Sequence, residues 1–176
     1  MLAEISELLS VPVPNYIECL DISNLYKRNV VAGFLVFLNG QKNLTKSKLY
    51  KLPSSETESD LSRIKRACLI HYQKYLPVNM PNLIIVDGGK EQVKAVQQTL
   101  KELQLKTVVI GLVKDEKHQT AKIITPDLKE LDFEKKQMQN VVINQKIKNF
   151  LTNCQEEVHR YAISFHRKLH RRSTLS

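Results

Sequence analysis

The stretch NLIIVDGGKEQVKAVQQTLKELQLKTVVIGLV, residues 82–113, decides the fold class of this chain. Its first apolar run, 83–86, is short and ends in DGG, which predicts a buried strand closed by a turn. Apolar residues then recur at helical spacing: Val93, Val96, Leu100 and Leu103. The β-branched run 107–113 predicts a second buried strand. A strand–helix–strand unit closes as a parallel pair with a right-handed crossover, so we expect the carboxyl ends of both strands at one edge of a sheet.

The residues upstream predict a short helix followed by three antiparallel strands. Apolar residues at helical spacing mark a helix that two prolines end: Ile5, Leu8 and Leu9, then Pro12 and Pro14. Strands are expected at 16–22, 30–38 and 44–52, and the turn dipeptide Asn39-Gly40 joins the last two. Because 30–38 is dense in Val, Phe and Leu, we expect it to be buried on both faces.

Three further elements complete the predicted fold. The pattern Thr57-x-x-Asp60 resembles a helix capping box and predicts a helix that reaches Leu76. Residues 123–127 suggest a small hairpin, and an apolar stripe from about Val141 predicts a long C-terminal helix. This order predicts an α/β protein with a mixed central sheet flanked by helices. It is the order of an RNase H-like fold, although other α/β sandwiches share the same periodicity.

Composition and charge narrow the classes of function. The 176 residues include 27 Lys and Arg against 18 Asp and Glu, a net charge of +9, and 42% are hydrophobic, so a globular domain with a polyanionic partner is expected. The longest apolar run, 30–38, is too short to cross a bilayer, and no secretory signal is recognisable. Three widely spaced cysteines are typical of free thiols in a reducing cytoplasm, and we expect a cytoplasmic protein without a membrane partner.

Two aspartates at strand ends are the first candidate site residues. Asp21 has the strand parity of apolar Ile17 and Cys19, and Asp87 ends the apolar run LIIV before two glycines. A carboxylate in such a place needs a partner, since burying its charge costs several kcal/mol. Asp87 could instead cap the following helix, and Asp21 could be a turn residue. If the two strands are neighbours, both aspartates can converge on a divalent cation.

The C-terminal helix carries a histidine and a basic segment beside its apolar stripe. His159 lies on the border of that stripe, where it could be a surface residue, a capped core residue or a ligand that faces a cleft. The segment after it, 160–176, has no acidic residue and carries five basic candidates: Arg160, Arg167, Lys168, Arg171 and Arg172. Phosphate contact is the hypothesis for these residues and for Lys90, Lys117 and His118, and a solvated helix end is the alternative for the helical ones. DGGK lacks the Ser or Thr and the upstream glycine of a P-loop.

Five motifs in order resemble the C-terminal nuclease domain of the UvrC family of bacterial nucleotide excision repair. They are IECLDISN (17–24), VVAGFLVF (30–37), NLIIVDGGKEQV (82–93), VIGLVKDEKHQT (109–120) and EEVHRYAISFHRKL (156–169). The resemblance implies an RNase H-like endonuclease domain over 15–172, after a helix and linker at 1–14 and before a tail at 173–176. It implies incision of damaged DNA on the 5′ side of a lesion, with UvrB as partner and UvrA upstream.

The resemblance also implies which residues form the site. Asp21 in DISN, Asp87 in DGGK and His159 in EEVHRYA match a catalytic set that would hold Mg²⁺ or Mn²⁺. Asp60 and Asp115 stand nearest to two further acidic positions of the family, in sequence contexts that depart from its pattern. Ahead of the histidine, Gln155 and Glu156 replace the usual Arg-Asp pair.

The resemblance leaves the companion domains of the family unmatched. We recognise in the chain no GIY-YIG nuclease domain, no UvrB-contacting segment and no helix-hairpin-helix module. We therefore expect a catalytic core, either a fragment or a reduced homologue.

Three hypotheses follow. The first is a metal-dependent, structure-specific DNA endonuclease domain, with Asp21 and Asp87 as metal ligands and His159 as a ligand or proton carrier. The second is a non-catalytic module of the same fold that binds nucleic acid or repair proteins. The third, a Cys-His hydrolase using Cys19 or Cys154, has the least support, because no spacing indicates a base or an oxyanion hole.

Overall fold

One mixed sheet organises the computed structural model, which describes residues 1–25, 29–53, 57–133 and 145–174. Within them the elements are α1 (Leu2–Leu9), β1 (Tyr16–Leu25), β2 (Asn29–Leu38), β3 (Gln41–Leu52), α2 (Asp60–Tyr72), a 3₁₀ turn (Pro77–Asn79), β4 (Leu83–Asp87), α3 (Lys90–Glu102), β5 (Val108–Lys114), β6 (Thr120–Ile124), β7 (Glu130–Asp132) and α4 (Gln145–Thr174). The seven strands of these ranges lie in the order β3-β2-β1-β4-β5-β6-β7.

Strand pairing confirms the predicted topology. β1, β2 and β3 are antiparallel neighbours, and the turn between β2 and β3 uses positive φ at Asn39 (50°) and Gly40 (80°). β4 pairs in parallel with β1 on one side and with β5 on the other. The parallel strand–helix–strand unit of β4, α3 and β5 therefore lies at the centre of the sheet, beside β1.

Two hydrophobic clusters cover the two faces of the sheet. On one face Leu20 and Val86 pack with residues of α2 and α3, among them Ile64 and Val96. On the other face Cys19, Ile85 and Ile110 pack with α4 through Leu151, Cys154 and Val158, and Ile5 of α1 joins this cluster. Helices on both faces explain why β2 is buried from Val30 to Phe37, as its continuous apolar run predicts.

The cysteines and the helices agree with two further predictions. Cys19, Cys68 and Cys154 are all free and buried. No helix in the described part of the chain has the length and apolarity needed to cross a membrane. The domain boundary expected between 14 and 15 stays a prediction.

The bounds of α2 differ from the prediction. The helix begins one residue after Ser59, whose hydroxyl accepts a hydrogen bond from the Ser62 amide at 3.2 Å, so the predicted capping box at Thr57 is wrong. It ends at Tyr72, four residues before Leu76, because Leu76 precedes a proline and is extended. The predicted start of α4 near 141 lies outside the described residues.

Candidate active site

The parallel pairing of β1 with β4 brings the two predicted aspartates to one place. The parallel register of these strands ends at the pair Leu20 and Val86, and Asp21 and Asp87 are the next residue of each strand. Asp21 is only 8% exposed. The expected convergence of the aspartates at one sheet edge is therefore confirmed as a structural relationship.

A cavity of about 270 Å³ opens at this edge and is lined by three carboxylates. They belong to Asp21, Asp87 and Asp60, the first residue of α2, and the side chains of Asn24 and Gln92 add amide groups. Asp60 also accepts a hydrogen bond from Arg63 at 3.0 Å. Five polar side chains from β1, α2, β4 and α3 thus line one small space. Their oxygen atoms are the atoms available as metal ligands.

His159 reaches this edge from α4. Its Nδ1 donates a hydrogen bond to Oδ2 of Asp21 at 2.9 Å, and its side chain is 49% exposed. The hydrogen bond raises the pKa of His159 above its ordinary value of 6.5, partial burial opposes this effect, and the charge of Asp21 adds to it. The imidazole is thus held by the carboxylate through one nitrogen, which leaves Nε2 for other chemistry.

Asp87 has two hydrogen-bond partners that its sequence position does not reveal, and one of them, Lys114, carries a positive charge. Nε2 of Gln155 donates to its Oδ1 at 2.6 Å, and Nζ of Lys114 lies 3.4 Å from its Oδ2. Gln155 is 1% exposed, donates also to the carbonyl of Leu112 at 3.1 Å and accepts a hydrogen bond from the hydroxyl of Thr120. Gln155 therefore supports Asp87 rather than the histidine, although the motif places it next to His159.

The glycines after Asp87 shape the turn that positions its carboxylate. Gly88 has φ of 152°, and Gly89, which precedes α3, is its N-cap. The alternative that Asp87 caps α3 is therefore wrong. A Cβ added at Gly111 of β5 would lie 2.4 Å from the Gly88 carbonyl oxygen, so a second glycine makes room for the same turn.

Asp115 does not join the other carboxylates. It lies in the turn between β5 and β6, where its Oδ1 accepts hydrogen bonds from the amides of Lys117 (2.8 Å) and Gln119 (2.9 Å). The structure therefore separates the two second-tier acidic residues. Asp60 lines the cavity, and Asp115 shapes a turn.

The predicted phosphate-binding residues differ in how free their charges are. Arg160 pairs with Glu156 at 3.3 Å and Glu157 at 3.0 Å, and Lys90 lies 3.6 Å from Glu130. The exposed residues that make no ion pair within the described part of the chain are Lys117, His118, Arg167, Lys168 and Arg171. Arg172 belongs to α4, and its side chain lies outside the described residues.

Comparison with known protein families gives a match over most of the chain. A family model described as the UvrC RNase H endonuclease domain matches residues 6–163. The chain belongs to this family. The strand order, with three antiparallel strands before the parallel unit and a long C-terminal helix, is the RNase H-like fold predicted for it.

Two relatives and one solved structure illustrate the similarity. The chain is 38% identical over 170 residues to UvrABC system protein C of Malacoplasma penetrans, covering 94% of this chain and 28% of the relative. It is 36% identical over 174 residues to the protein of that name from Ureaplasma parvum serovar 3, covering 98% and 28%. Endonuclease V from Streptomyces avermitilis is 13% identical, with a TM-score of 0.49 and coverage of 93% of this chain and 86% of that chain. The chain thus spans little more than a quarter of the length of these UvrC relatives.

The Cys-His hydrolase hypothesis gains nothing from the structure. Cys19 is buried, and burial raises the pKa of its thiol well above the ordinary value, with the hydrogen bond to Cys154 adding to the shift. A buried, protonated thiol is a poor nucleophile.

Proposed function

We propose that the chain is an endodeoxyribonuclease domain that hydrolyses a phosphodiester bond at the Asp21–Asp87–His159 edge of the sheet. One observation carries the proposal: the two aspartates lie where the parallel pairing of β1 with β4 ends, in a carboxylate-lined cavity, and the histidine is hydrogen-bonded to one of them. Catalytic groups gather at this kind of strand end in α/β sheets.

The donor set fits a hard divalent cation. Within the described residues, no group of three carboxylate, imidazole or thiol side chains is arranged to hold a metal ion by itself. Mg²⁺, however, takes oxygen ligands and keeps several waters, so one or two carboxylates are enough. Asp21 and Asp87 would hold Mg²⁺ or Mn²⁺, with Asp60 on the opposite wall. The bound cation would supply an acidified water and neutralise charge on the phosphate.

Other residues of the site orient the carboxylates and transfer a proton. Gln155 and Lys114 orient Asp87 and limit the repulsion between the carboxylates. Asp21 orients the His159 ring and raises its pKa, so the imidazole can hold a proton near neutral pH and transfer it through Nε2. This assigns proton transfer to His159 in preference to metal ligation.

The substrate and partners follow from the family as part of the proposal. Relatives are named as the C protein of the UvrABC system, which supports damaged double-stranded DNA as substrate and the 5′ incision of nucleotide excision repair as the reaction. UvrB, loaded by UvrA, would present that substrate. Exposed basic residues on α4 beyond His159 would hold the phosphates. The buried free thiols are consistent with the cytoplasm as the proposed location.

The test is incision of a lesion-bearing duplex in the presence of UvrA, UvrB and Mg²⁺ or Mn²⁺. We expect Asp87→Asn to lower the rate by at least about 100-fold, because the substitution removes a charge that acts on the reacting phosphate. Asp115→Asn is the matched control, since its amide oxygen can still accept the turn hydrogen bonds and the residue does not line the cavity. Unchanged incision by the Asp87 variant at unchanged stability contradicts the catalytic role.

A further inference from the structure

A second cleft lies at the other end of the central strands, where β1 begins. It has a volume of about 500 Å³, the size of a small-ligand pocket. The residues that define it come from β1, β3 and the segment after α2: Tyr16, Lys46, Lys48, Tyr75, Val78 and Asn79. We call it the Tyr16–Tyr75 cleft. None of its lining residues is acidic.

The two lysines of this cleft have charges available for a ligand. They lie on β3, an edge strand with four lysines and no acidic residue. Lys42 of this strand pairs with Glu157, whereas Lys46 and Lys48 make no ion pair with any residue that the structure describes. Nζ of Lys46 lies 5.7 Å from the centre of the Tyr16 ring, which holds the ammonium group at the cleft.

Charged edge strands also protect sheets from edge-to-edge pairing, and that would explain lysines on β3. It does not explain the other components of the cleft. Two half-buried tyrosines face these lysines, Val78 is 85% exposed, and the side-chain amide of Asn79 makes no hydrogen bond within the described residues. Cations, aromatic rings and a free amide together match an anion that carries a planar ring.

A buried hydrogen-bond network holds Tyr75 of the cleft in place. The Tyr75 hydroxyl lies 3.3 Å from Nε2 of His71. His71 in turn donates to Glu18 at 3.0 Å, and both residues are buried. Aromatic groups fixed before binding lose little conformational freedom on binding, which favours their use as a recognition surface.

The cleft also stands at a definite distance from the candidate active site. Five residues of β1 separate Tyr16 from Asp21, about 17 Å at about 3.3 Å per residue. Helix α2 starts at Asp60 in the catalytic cavity and ends three residues before Tyr75, a span of about 20 Å for its 13 residues. At about 3.4 Å per nucleotide, that separation corresponds to about five nucleotides of one strand.

We propose that the Tyr16–Tyr75 cleft binds an unpaired nucleotide of a DNA strand, as a site separate from the one that cuts. Lys46 and Lys48 bind the phosphate, Tyr75 and Val78 contact the base, and the Asn79 amide bonds to its edge. The inference rests on the proposed function, because it assumes that DNA is the ligand of the domain. It adds a binding site for unpaired DNA, which a duplex opened near a lesion provides.

Photocrosslinking tests the location of binding. The probe is a 12-nucleotide single strand that contains 5-iododeoxyuridine, bound to the Asp87→Asn variant without metal so that no cleavage occurs. We expect crosslinked peptides that contain Tyr16 or Tyr75. The chain has 6 tyrosines and no tryptophan, so few aromatic sites compete. Crosslinks confined to other peptides overturn the proposal.

Charge reversal tests the contribution of the lysines. Lys46→Glu combined with Lys48→Glu should weaken binding of this oligonucleotide by about tenfold or more, since two phosphate contacts are lost. Lys101→Glu with Lys106→Glu makes the same change of net charge at exposed positions outside the cleft and should have an effect below about threefold. Equal losses in the two variants overturn the proposal.

Two comparisons distinguish a DNA ligand from a protein ligand, and this inference from the proposed nuclease function. Tighter binding of a glutamate- and leucine-rich peptide than of the oligonucleotide, lost with the Lys46 and Lys48 substitutions, would assign the cleft to a protein partner and overturn the proposal. Crosslinks at the tyrosines without incision by the unsubstituted chain would leave the cleft standing and reject the nuclease. Incision by the unsubstituted chain with crosslinks only outside the cleft would support the nuclease and overturn the proposed cleft site.

Discussion

Nδ1 of His159 lies 2.9 Å from Oδ2 of Asp21, and this hydrogen bond joins α4 to the middle of β1 across 138 residues of sequence. The partners are unequal in exposure, since Asp21 is nearly buried and half of the His159 side chain is open to solvent. An ionised carboxylate in that setting favours the protonated imidazole. The proton-carrying group of the proposed reaction is therefore tuned by a residue that also lines the carboxylate-lined cavity.

The titration of His159 should respond to Asp21. Because the folded-state pKa of His159 is raised, its pair with Asp21 stabilises the fold fully below the ordinary pKa of 6.5, and this contribution is lost as pH rises through the folded-state value. In Asp21→Asn the midpoint of His159, followed by NMR of its ring protons, should move down. The stability difference between this variant and the native chain should narrow at high pH. Asp115→Asn should leave the midpoint unchanged, and an equal shift in both variants contradicts the assignment.

The hydrogen bonds of Gln155 should contribute to stability and to the orientation of Asp87. Gln155→Leu keeps the volume but removes the partner of Asp87 Oδ1 and of the Thr120 hydroxyl, so the free energy of unfolding should fall by about 1–3 kcal/mol. The Leu112 carbonyl keeps its hydrogen bond from the Gly88 amide. Affinity for Mn²⁺, measured by calorimetry, should fall as well. Gln145→Leu at the exposed start of α4 is the matched control and should change stability by less than about 0.5 kcal/mol. Equal losses in the two variants would remove the support role.

Local pattern was enough to predict where the aspartates lie but not what surrounds them. Asp87 ends an apolar strand and Asp21 shares the parity of apolar residues on its strand, but their convergence required the two strands to be neighbours, and the observed pairing of β1 with β4 meets that condition. The contacts of Gln155 and Lys114 depend on the rotational position of α4 and on the register of β5, which long-range packing decides. The separation of Asp60 from Asp115 has the same origin, since both are acidic residues at the ends of elements. The departure of Gln155 from the family pattern was the one signal available.

The buried polar network behind the second cleft was not predictable from periodicity. Glu18 alternates with apolar residues on β1, and a glutamate seldom lies at 0% exposure in a core. Only the fold brings it to His71 and Tyr72 of α2, more than fifty residues later. The predicted helix extends past Tyr75 to Leu76, whereas α2 ends at Tyr72 and the Tyr75 ring lines the cleft.

Tyr72 should be a strong stabiliser of that network. Its hydroxyl donates to Oε1 of Glu18, and both side chains are fully buried. Tyr72→Phe removes one donor from a buried carboxylate and should lower the free energy of unfolding by about 1–3 kcal/mol, measured by urea denaturation with a shared m-value. Tyr161→Phe is the control, because the Tyr161 hydroxyl makes no hydrogen bond within the described residues, and its effect should stay below about 0.5 kcal/mol. A Tyr72 effect as small as that of Tyr161 contradicts a structural role for the hydroxyl.

Arginines of α4 should contribute unequally to DNA binding, although the sequence presents them as one basic segment. Arg160 shares its guanidinium between Glu156 and Glu157, whereas Arg167, two turns further along, is exposed and makes no ion pair with any described residue. A phosphate contact by Arg167 releases counterions, so Arg167→Ala should reduce the slope of log K against log salt by about 1. Arg160→Ala should change the slope less, because its two glutamates already neutralise it. Fluorescence anisotropy of a labelled duplex over 50–200 mM salt measures both, and a larger slope change for Arg160 than for Arg167 would show that the ion pairs open on binding.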